Sequence, residues 1–328
     1  MTRRESVFFR ALAAPSPRSA PVEAARPRGD VMRDRAPARP RRRVAVALLC
    51  ACALSSAAIP AGAASGSADP SLVDPATPSG VQPVGTDGRR ADTQALVFSD
   101  EFDGATVSTA RWTARDQERS GAAAGDRWWY KPANVRTDNK GALAIDVQKL
   151  AANQFSGGRI DSQGKFDYTY GTLEARVHTP VKTNGHLAAV WLQADAGLTP
   201  GGAVDGTARD GAEIDVTETN YQADKYSATL HWDGYGADHQ SSGAVANAPG
   251  LHGTWYHTFG LQWTPTQLRF LYDGAVVRTV TDPELISQVK EFPILSHEVL
   301  DNWADGSVHD EVFDWNSTMY VDYVRVWQ

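Results

Sequence analysis

The stretch Gly211-Ala-Glu-Ile-Asp-Val-Thr-Glu218 places three carboxylates within six residues. The isoleucine and valine between them are β-branched, which favours a strand over a helix. Because side chains alternate along a strand, Glu213 and Asp215 share one face, whereas Glu218 has the opposite parity. A β-bulge between Asp215 and Glu218 would insert one extra residue and return Glu218 to that face. The pattern therefore predicts a bulged strand with all three carboxylates on one sheet surface.

Three carboxylates on one surface repel one another and raise one another's pKa, which a purely structural strand has little reason to accept. A glycosidase has a reason, since it needs one ionised carboxylate and one protonated carboxylic acid held close together. Two other interpretations fit these residues: an ordinary exposed strand, and a site for a divalent cation such as calcium. The rest of the chain has to distinguish the three.

Residues 1–63 have the features of an export signal with a long basic preface. The basic region is followed by the apolar run Val44–Leu54, and Ala61-Gly-Ala63 forms a small-residue cleavage site. The apolar run is too short for a membrane span, so the sequence predicts a secreted, extracellular protein without one. A lipoprotein anchor at Cys52 is the alternative.

The same segment changes what the exported protein would contain. Cys50 and Cys52 are the only cysteines of the chain, so the exported part would hold no disulfide. Residues 1–63 also hold 12 of the 32 Lys and Arg residues and 4 of the 39 acidic residues. The remaining 20 basic and 35 acidic residues leave a formal charge of −15. Such an acidic surface argues against nucleic acid and anionic membranes as partners.

Two further segments follow the signal. Residues 64–95 are rich in Ser, Pro, Gly, Ala and Asp without hydrophobic periodicity, which indicates a disordered linker. Residues 96–328 contain short strand-like runs between turn residues, among them Leu143–Val147, Gly171–Val177 and Met319–Trp327. Many short strands without alternating helices predict an all-β sandwich of two antiparallel sheets.

Aromatic residues supply a second functional signal. The sequence holds 10 Trp residues, many of them beside polar residues in or near the predicted strands. Flat aromatic rings stack on the apolar faces of sugars, and the candidates are Trp128, Trp129, Tyr130, Trp191, Trp232 and Trp303. Each could equally be a core residue. Trp191 is best placed, because its strand precedes the Gly-rich loop that leads into the carboxylate strand.

Several stretches around the carboxylates follow one another in a recognisable order. They are FSDEFDG (98–104), NVRTDNKGALAI (134–145), GGRIDSQGKFDYTYGTLEARV (157–177), YHTFGLQWTP (256–265) and MYVDYVRVW (319–327). With EIDVTE (213–218), they make residues 97–328 resemble glycoside hydrolase family 16, the family of laminarinases, lichenases, agarases and carrageenases. EIDVTE matches the longer, bulged form of the family's signature. The resemblance implies a jelly-roll β-sandwich with a substrate cleft on its concave sheet.

The resemblance also implies catalytic roles. Glu213 would be the nucleophile, Glu218 the general acid/base, and Asp215 would hydrogen-bond the nucleophile and modulate its charge. The reaction would retain the anomeric configuration through a glycosyl-enzyme on Glu213. Such a mechanism requires the two carboxyl groups to lie roughly 5–5.5 Å apart.

Substrate contacts are expected from five residues facing the same cleft. Trp191 and Trp129 would stack on sugar rings, while Arg159, Asn134 and His231 would hydrogen-bond hydroxyl groups. The family's laminarinases carry a Trp-Pro-Ala-Phe-Trp run before the catalytic strand, and this chain has Leu187 at its first position. We therefore expect an endo-acting hydrolase of a polysaccharide, and β-1,3-glucan is the first choice of substrate. A β-galactan or another β-glycan is the alternative.

Three further expectations follow from the resemblance. A transglycosylase is open, because only water access to the glycosyl-enzyme separates transfer from hydrolysis, and a non-catalytic carbohydrate-binding protein could share the fold. The chemistry requires no cofactor, but a structural calcium could bind Glu101, the carbonyl of Gly141 and Asp322 on the convex side. The protein is expected to be a monomer.

Overall fold

The structure is a computed structural model, and it describes residues 69–85, 94–119, 127–182, 185–194, 203–220, 223–299 and 307–328. Within these ranges the chain forms eighteen strands and five short 3₁₀ turns. The strands are Leu96–Asp100 (β1), Thr113–Ala114 (β2), Gln117–Arg119 (β3), Arg127–Tyr130 (β4), Val135–Thr137 (β5), Leu143–Ile145 (β6), Gln148–Ala151 (β7), Gln154–Asp161 (β8), Gly171–His178 (β9), His186–Ala194 (β10), Glu213–Glu218 (β11), Lys225–Trp232 (β12), Gln240–Asn247 (β13), His257–Thr264 (β14), Gln267–Tyr272 (β15), Ala275–Val280 (β16), Glu291–Val299 (β17) and Met319–Trp327 (β18). The turns are Pro70–Leu72, Pro132–Asn134, Pro283–Leu285, Ser307–Asp310 and Trp315–Ser317.

The strands form two sheets. The first has the order β16-β15-β14-β9-β18-β6-β5, with β1 paired to β18. The second has the order β13-β12-β11-β10-β17-β8-β4-β3, with β2 and β7 paired to β8. In the described ranges the named strands pair antiparallel except for β4 and β8, which run parallel. The predicted all-β sandwich is therefore confirmed, with one parallel pair at the edge of the larger sheet.

The core lies between the two sheets and follows the alternation along each strand. On β10, Ala188, Val190 and Leu192 belong to the main hydrophobic cluster, while Ala189 and Trp191 point to the other face. On β11 the same rule buries Ile214 and leaves the preceding glutamate on the outer face. The outer face of the ten-stranded sheet can therefore carry polar side chains, because alternate apolar side chains of the same strands pack in the core.

The predicted linker differs from the structure in residues 69–85. Leu72 packs against the hydrophobic core, and the buried Asp74 accepts a hydrogen bond from the backbone N–H of Glu101 at 3.1 Å. The indole Nε1 of Trp327 donates to the carbonyl of Val81 at 3.0 Å. Disorder is therefore the wrong prediction for these residues, because their backbone groups have partners in the sandwich that a local reading of composition cannot see.

The remaining predictions about the amino-terminal region concern residues outside the described ranges. These are the export signal at 1–63, the cleavage site, the two cysteines and the first part of the linker. Trp303 also lies outside the described residues. Among the residues that are described, no helix is long and apolar enough to cross a membrane.

Candidate active site

The predicted bulge is present in β11. Asp215 pairs with Thr229 of β12, but Glu218 pairs with Ser227, so three steps along β11 match two along β12. The extra residue shifts the parity of Glu218, and Glu213, Asp215 and Glu218 line one cleft as a result. The apolar residues between them remain buried in the core. The local sequence thus holds three carboxylates on one surface without exposing the hydrophobic face of the strand.

The cleft lies on the outer face of the ten-stranded sheet and has a volume of about 580 Å³. Strands β3, β4, β8, β10, β11 and β17 and the loop after β12 all contribute to it. Its lining residues are Gln117, Glu118, Arg119, Tyr130, Arg159, Leu187, Ala189, Trp191, Gln193, Glu213, Asp215, Glu218, Tyr235, Ser296 and Glu298. The carboxylates therefore open into a groove built from strands that are distant in sequence.

Glu213 lies at the centre of a set of groups that favour its ionised form. The phenol of Tyr235 donates a hydrogen bond to Glu213 Oε2, and His231 Nε2 lies 4.0 Å from Oε1. Burial raises the pKa of Glu213, while the bond from Tyr235 and the positive charges of His231, Arg119 and Arg159 oppose that rise. Glu213 is consequently the carboxylate of this cluster with the most support for a negative charge.

Glu218 and Asp215 have the opposite balance. Burial, followed by repulsion from Asp215 and Glu213, holds the pKa of Glu218 well above its ordinary value. The pKa of Asp215 is raised in the same way, by burial and then by Glu213 and Glu298. Asp215 Oδ2 lies 3.2 Å from His231 Nε2, but it accepts no hydrogen bond from any described residue. The site thus combines one carboxylate whose ionised form has several supporting groups with two carboxyl groups whose neutral form is favoured.

Three of the five predicted substrate residues lie at this site. The guanidinium of Arg159 stacks 4.8 Å above the Trp191 ring, and Trp191 Nε1 donates to Ser296 Oγ at 3.1 Å. Arg159 and Trp191 both line the cleft. His231 Nε2 lies 4.0 Å from Glu213 Oε1 and 3.2 Å from Asp215 Oδ2, so it is placed to orient these two carboxylates.

The structure does not bring the other two predicted residues into the cleft. Trp129 lies on the opposite face of β4 from Tyr130, which lines the cleft, and it stacks with Arg127 at 4.7 Å. Asn134 is buried and donates from Nδ2 to Ser156 Oγ at 3.0 Å. Stacking by Trp129 and hydrogen bonding by Asn134 are therefore not supported by their positions.

Other cleft residues were missed at the sequence level. Glu298 of β17 accepts a hydrogen bond from the phenol of Tyr130 and forms an ion pair with Arg119 Nε at 2.5 Å. Tyr235 lies in the stretch between His231 and His239, which is rich in hydrogen-bonding groups. That richness was a usable signal for Tyr235, whereas nothing local distinguishes Glu298 from an ordinary strand glutamate.

The other tryptophan candidates are core residues. Trp128 packs with Tyr130, Val147 and Phe155 in a small cluster, and Trp232 belongs to the main cluster. Their side chains are buried by neighbours from several strands. Neither has a ring face available for a sugar.

The positions predicted for calcium do not fit that ion as they are arranged. Arg325 binds both carboxylate oxygens of Glu101, at 2.9 and 2.8 Å. Arg176 Nη1 donates to Asp322 Oδ2 at 2.6 Å. The oxygens that would bind calcium are thus neutralised by two different arginines. In the described residues, the group of possible metal ligands is Glu213, Asp215 and His231, whose ligand atoms lie within 4.8 Å of one another.

A model of glycosyl hydrolases family 16 matches residues 124–325. This chain belongs to glycosyl hydrolase family 16. It is therefore a glycoside hydrolase, and the resemblance drawn from its motifs is confirmed. The family's chemistry needs no cofactor. The match includes the bulged carboxylate strand and most of the cleft residues.

Curated relatives of this family-16 chain are distant in sequence. A β-glucanase of Rhodothermus marinus is 27% identical over 256 residues, which are 71% of this chain and 85% of the relative. The glucan endo-1,3-β-glucosidase A1 of Niallia circulans is 24% identical over 266 residues, again 71% of this chain. The aligned region covers 38% of the Niallia protein's length.

Solved structures confirm the jelly-roll fold of this family-16 domain. An endo-glucanase of family 16 from Bacteroides ovatus superposes with a TM-score of 0.58 at 20% identity, over 70% of this chain and 99% of that one. The laminarinase catalytic domain of Thermotoga petrophila gives a TM-score of 0.57 at 23% identity, over 72% of this chain and 98% of that one. At such identities the likeness concerns the fold alone.

Proposed function

We propose that this protein is an endo-acting, retaining β-glucanase whose preferred substrate is a β-1,3-glucan. The observation that carries the proposal is the bulge in β11, which puts Glu213, Asp215 and Glu218 on the same cleft wall with unequal support for negative charge. A retaining glycosidase needs that inequality, because one carboxylate must attack while the other delivers a proton.

In the first step Glu213 Oε1 bonds to the anomeric carbon as the glycosidic C–O bond breaks. Glu218 gives its proton to the departing oxygen, so the leaving sugar departs as a neutral alcohol. In the second step water attacks the same carbon, Glu218 takes a proton from it, and Glu213 leaves as a carboxylate. Asp215 lies between the two glutamates and, while protonated, would offer a hydrogen bond that limits charge build-up on Glu213.

Substrate positioning would fall to the platform made by Trp191 and Arg159. The guanidinium covers part of the indole and offers donors to sugar hydroxyls, while the ring edge and Leu187 supply apolar contact. A groove formed by outward-facing residues of several strands can hold a chain that extends past both ends, which suits internal cleavage. The named activities of the Niallia, Rhodothermus and Thermotoga proteins support a β-glucan.

A panel of polysaccharides tests the proposal. We expect the protein to release oligosaccharides of several sizes from laminarin, with slower release from mixed-linkage β-glucan. NMR of the first products should show the β-anomer. Glu213→Gln is the matched control and should release none.

Other outcomes of the panel identify the alternatives. Cleavage of agarose or carrageenan in place of laminarin would move the substrate to a β-galactan. Cleavage of mucin O-glycans would favour the activity named for a structural neighbour with a TM-score of 0.58 at 20% identity. Products longer than the substrate would indicate a transglycosylase, and binding without turnover would indicate a carbohydrate-binding protein.

Export and assembly complete the proposal. The basic region and apolar run before Ala64 support secretion to the extracellular space, and amino-terminal sequencing of the exported protein tests it. A start at Cys52 carrying lipid would instead place the enzyme on a membrane surface. We propose a monomer, which light scattering in solution checks.

The catalytic chemistry does not need the structural calcium that was predicted from the sequence. Glu101 and Asp322 would have to release Arg325 and Arg176 before they could bind the ion. Calcium therefore has no part in the proposed mechanism.

A further inference from the structure

The loop between β12 and β13 brings a tyrosine onto the nucleophile. Tyr235 lies four residues after His231 and donates its phenol hydrogen to Glu213 Oε2. The side-chain amide of Gln193 on β10 donates to the Tyr235 oxygen at 3.3 Å. The two bonds form a chain of donors from Gln193 through Tyr235 to Glu213. Such a chain polarises each member and favours negative charge at its end.

Hydrogen bonds to Asp233 at the start of the loop hold its backbone in place and so position Tyr235 for its contact with Glu213. Asp233 is 2% exposed and accepts hydrogen bonds from the backbone N–H of Gly206 at 3.0 Å and from Gln240 Nε2 at 2.7 Å. Asp233 and Gly234 both have positive φ, 60° and 79°, which turns the chain back over the sheet. Tyr235 is 55% exposed, yet the residues before it fix where its phenol can reach.

We propose that Tyr235 is a positioning residue that orients Glu213 and holds it ionised for attack. The proposal rests on the proposed glycosidase function, since it assigns a role to Tyr235 in that reaction. Tyr235 occupies Oε2, which leaves Oε1 as the oxygen that meets the anomeric carbon. His231 lies 4.0 Å from that oxygen.

Tyr235 keeps its proton through both chemical steps. When the bond between Oε1 and the anomeric carbon forms, Oε2 becomes the carbonyl oxygen of an ester and accepts a weaker hydrogen bond. When water breaks that ester, Glu213 leaves as a carboxylate and the bond from Tyr235 strengthens again. Tyr235 therefore stabilises Glu213 both before attack and as a leaving group. Although Tyr235 as a whole is 55% exposed, desolvation of its phenol and then the charge of Glu213 raise the pKa of Tyr235, so the phenol remains a donor.

Several other charges act on Glu213, and the test has to separate them from Tyr235. They are His231 on β12, Asp215 and Glu218 on β11, Arg119 on β3, Arg159 on β8 and Glu291 on β17. None of them is changed when the phenol oxygen alone is removed. Tyr235→Phe is therefore a clean probe, because it keeps the ring in an exposed position and deletes a single donor.

The experiment compares Tyr235→Phe with the wild type and with Tyr256→Phe, which changes a half-buried tyrosine outside the cleft. In Tyr235→Phe the acid limb of the pH profile of kcat/KM on laminarin should move up by about one pH unit, since the lost bond goes to a charged group. At pH values below the acid limb, kcat/KM of Tyr235→Phe should be about tenfold lower than that of the wild type. The basic limb, which reports Glu218, should stay in place. Tyr256→Phe should leave both limbs unchanged.

A second readout does not need turnover. With ¹³C-labelled glutamate carboxyls, the Glu213 resonance, assigned through its loss in Glu213→Gln, should titrate at higher pH in Tyr235→Phe than in the wild type. An unchanged Glu213 titration would overturn the proposal, as would a gain of activity, which would mean that Tyr235 blocks the sugar. If no glycan is cleaved but the titration shifts, the glycosidase function fails while the Tyr235–Glu213 bond is upheld.

Discussion

Asp215 and Glu218 are three residues apart on β11 but face partners only two residues apart on β12. Because of that single extra residue, all three carboxylates of the strand line one cleft. The extra residue keeps Glu218, the proposed proton donor, in the same cleft as Glu213, the proposed nucleophile, while Ile214 and Val216 remain in the core. The proposed acid/base chemistry therefore depends on the bulge.

Replacement of each glutamate should affect a different part of the reaction. Glu218→Gln should reduce kcat/KM on a polysaccharide by roughly 10²–10⁴-fold, because the leaving oxygen loses its proton donor. With a nitrophenyl glycoside, whose leaving group needs little protonation, the first step should be affected much less. Glu213→Gln should abolish turnover of both substrates, and Asp215→Asn should have an intermediate effect. Equal losses for Glu218→Gln on both substrates would contradict its role as the acid.

Trp191→Ala should weaken glycan binding by removing the base of the platform under Arg159. We expect KM for laminarin to rise about tenfold or more, since a buried aromatic contact and the support of a guanidinium are lost together. Trp191→Phe should have a smaller effect because it keeps a ring. Trp255 is 77% exposed and does not line the cleft, so Trp255→Ala is the matched control. Binding assays in the Glu213→Gln background separate affinity from turnover.

Glu291 should make the protein less stable as the pH rises. Its side chain is fully buried, and burial raises its pKa from an ordinary 4.5 to about 8. Between those values the folded protein binds a proton that the unfolded chain has lost. The free energy of unfolding therefore falls with rising pH, by up to about 1.4 kcal/mol per pH unit for this one group.

Glu291→Gln should flatten that dependence. Urea midpoints measured from pH 5 to 8.5 should decline less steeply in the variant than in the wild type, although other buried carboxyls such as Asp100, with a pKa raised to about 6, keep some slope. Parallel curves for the two proteins would show that Glu291 does not hold its proton.

The buried residues His186 and His297 connect Glu311, in the segment after β17, to the sandwich. His297 Nδ1 lies 3.0 Å from the carbonyl of Ile145, and burial lowers the pKa of His297 to about 3, so its Nε2 is a bare acceptor. His186 Nδ1 lies 3.1 Å from that acceptor, and His186 Nε2 lies 3.0 Å from Glu311 Oε1. We therefore predict that His186 Nδ1 donates to His297 and that His186 Nε2 donates to the Glu311 carboxylate.

Glu311→Gln should therefore destabilise the fold by about 1–3 kcal/mol, because it removes the carboxylate that accepts from the buried His186. Although burial alone would raise it, hydrogen bonds from His186 and Ser317 lower the pKa of Glu311, which supports a carboxylate there. Asp310→Asn, at an exposed neighbour, is the control. ¹⁵N spectra of His186 should show two protonated nitrogens in the wild type, and a single one would refute the assignment.

Calcium should have little effect on thermal stability if the arginine pairs persist in solution. We expect the Tm to be the same in calcium and in a chelator, because Arg325 and Arg176 already neutralise Glu101 and Asp322. A rise in Tm with calcium that is lost in Asp322→Ala would instead support the structural site.

The sequence alone determined the features that depend on local spacing. The bulged strand, its three carboxylates and the all-β class follow from a period of two along short segments, and a strand carries that period wherever it lies. Trp191 was predicted from the position of its strand before the Gly-rich loop, and Arg159 lies in one of the stretches that carry the family resemblance. The three residues proposed to carry out the chemistry lie within six consecutive positions.

The tertiary structure decided which distant groups meet that strand. Tyr130 rather than Trp129 faces the cleft because β4 pairs with β8, and local alternation cannot say which face of β4 is turned inward. Glu298 and Tyr235 reach the site only through the positions of β17 and the loop after β12. Residues 69–85 are held by partners such as Trp327, 246 positions away from Val81. These contacts depend on long-range packing, and composition and periodicity hold no information about it.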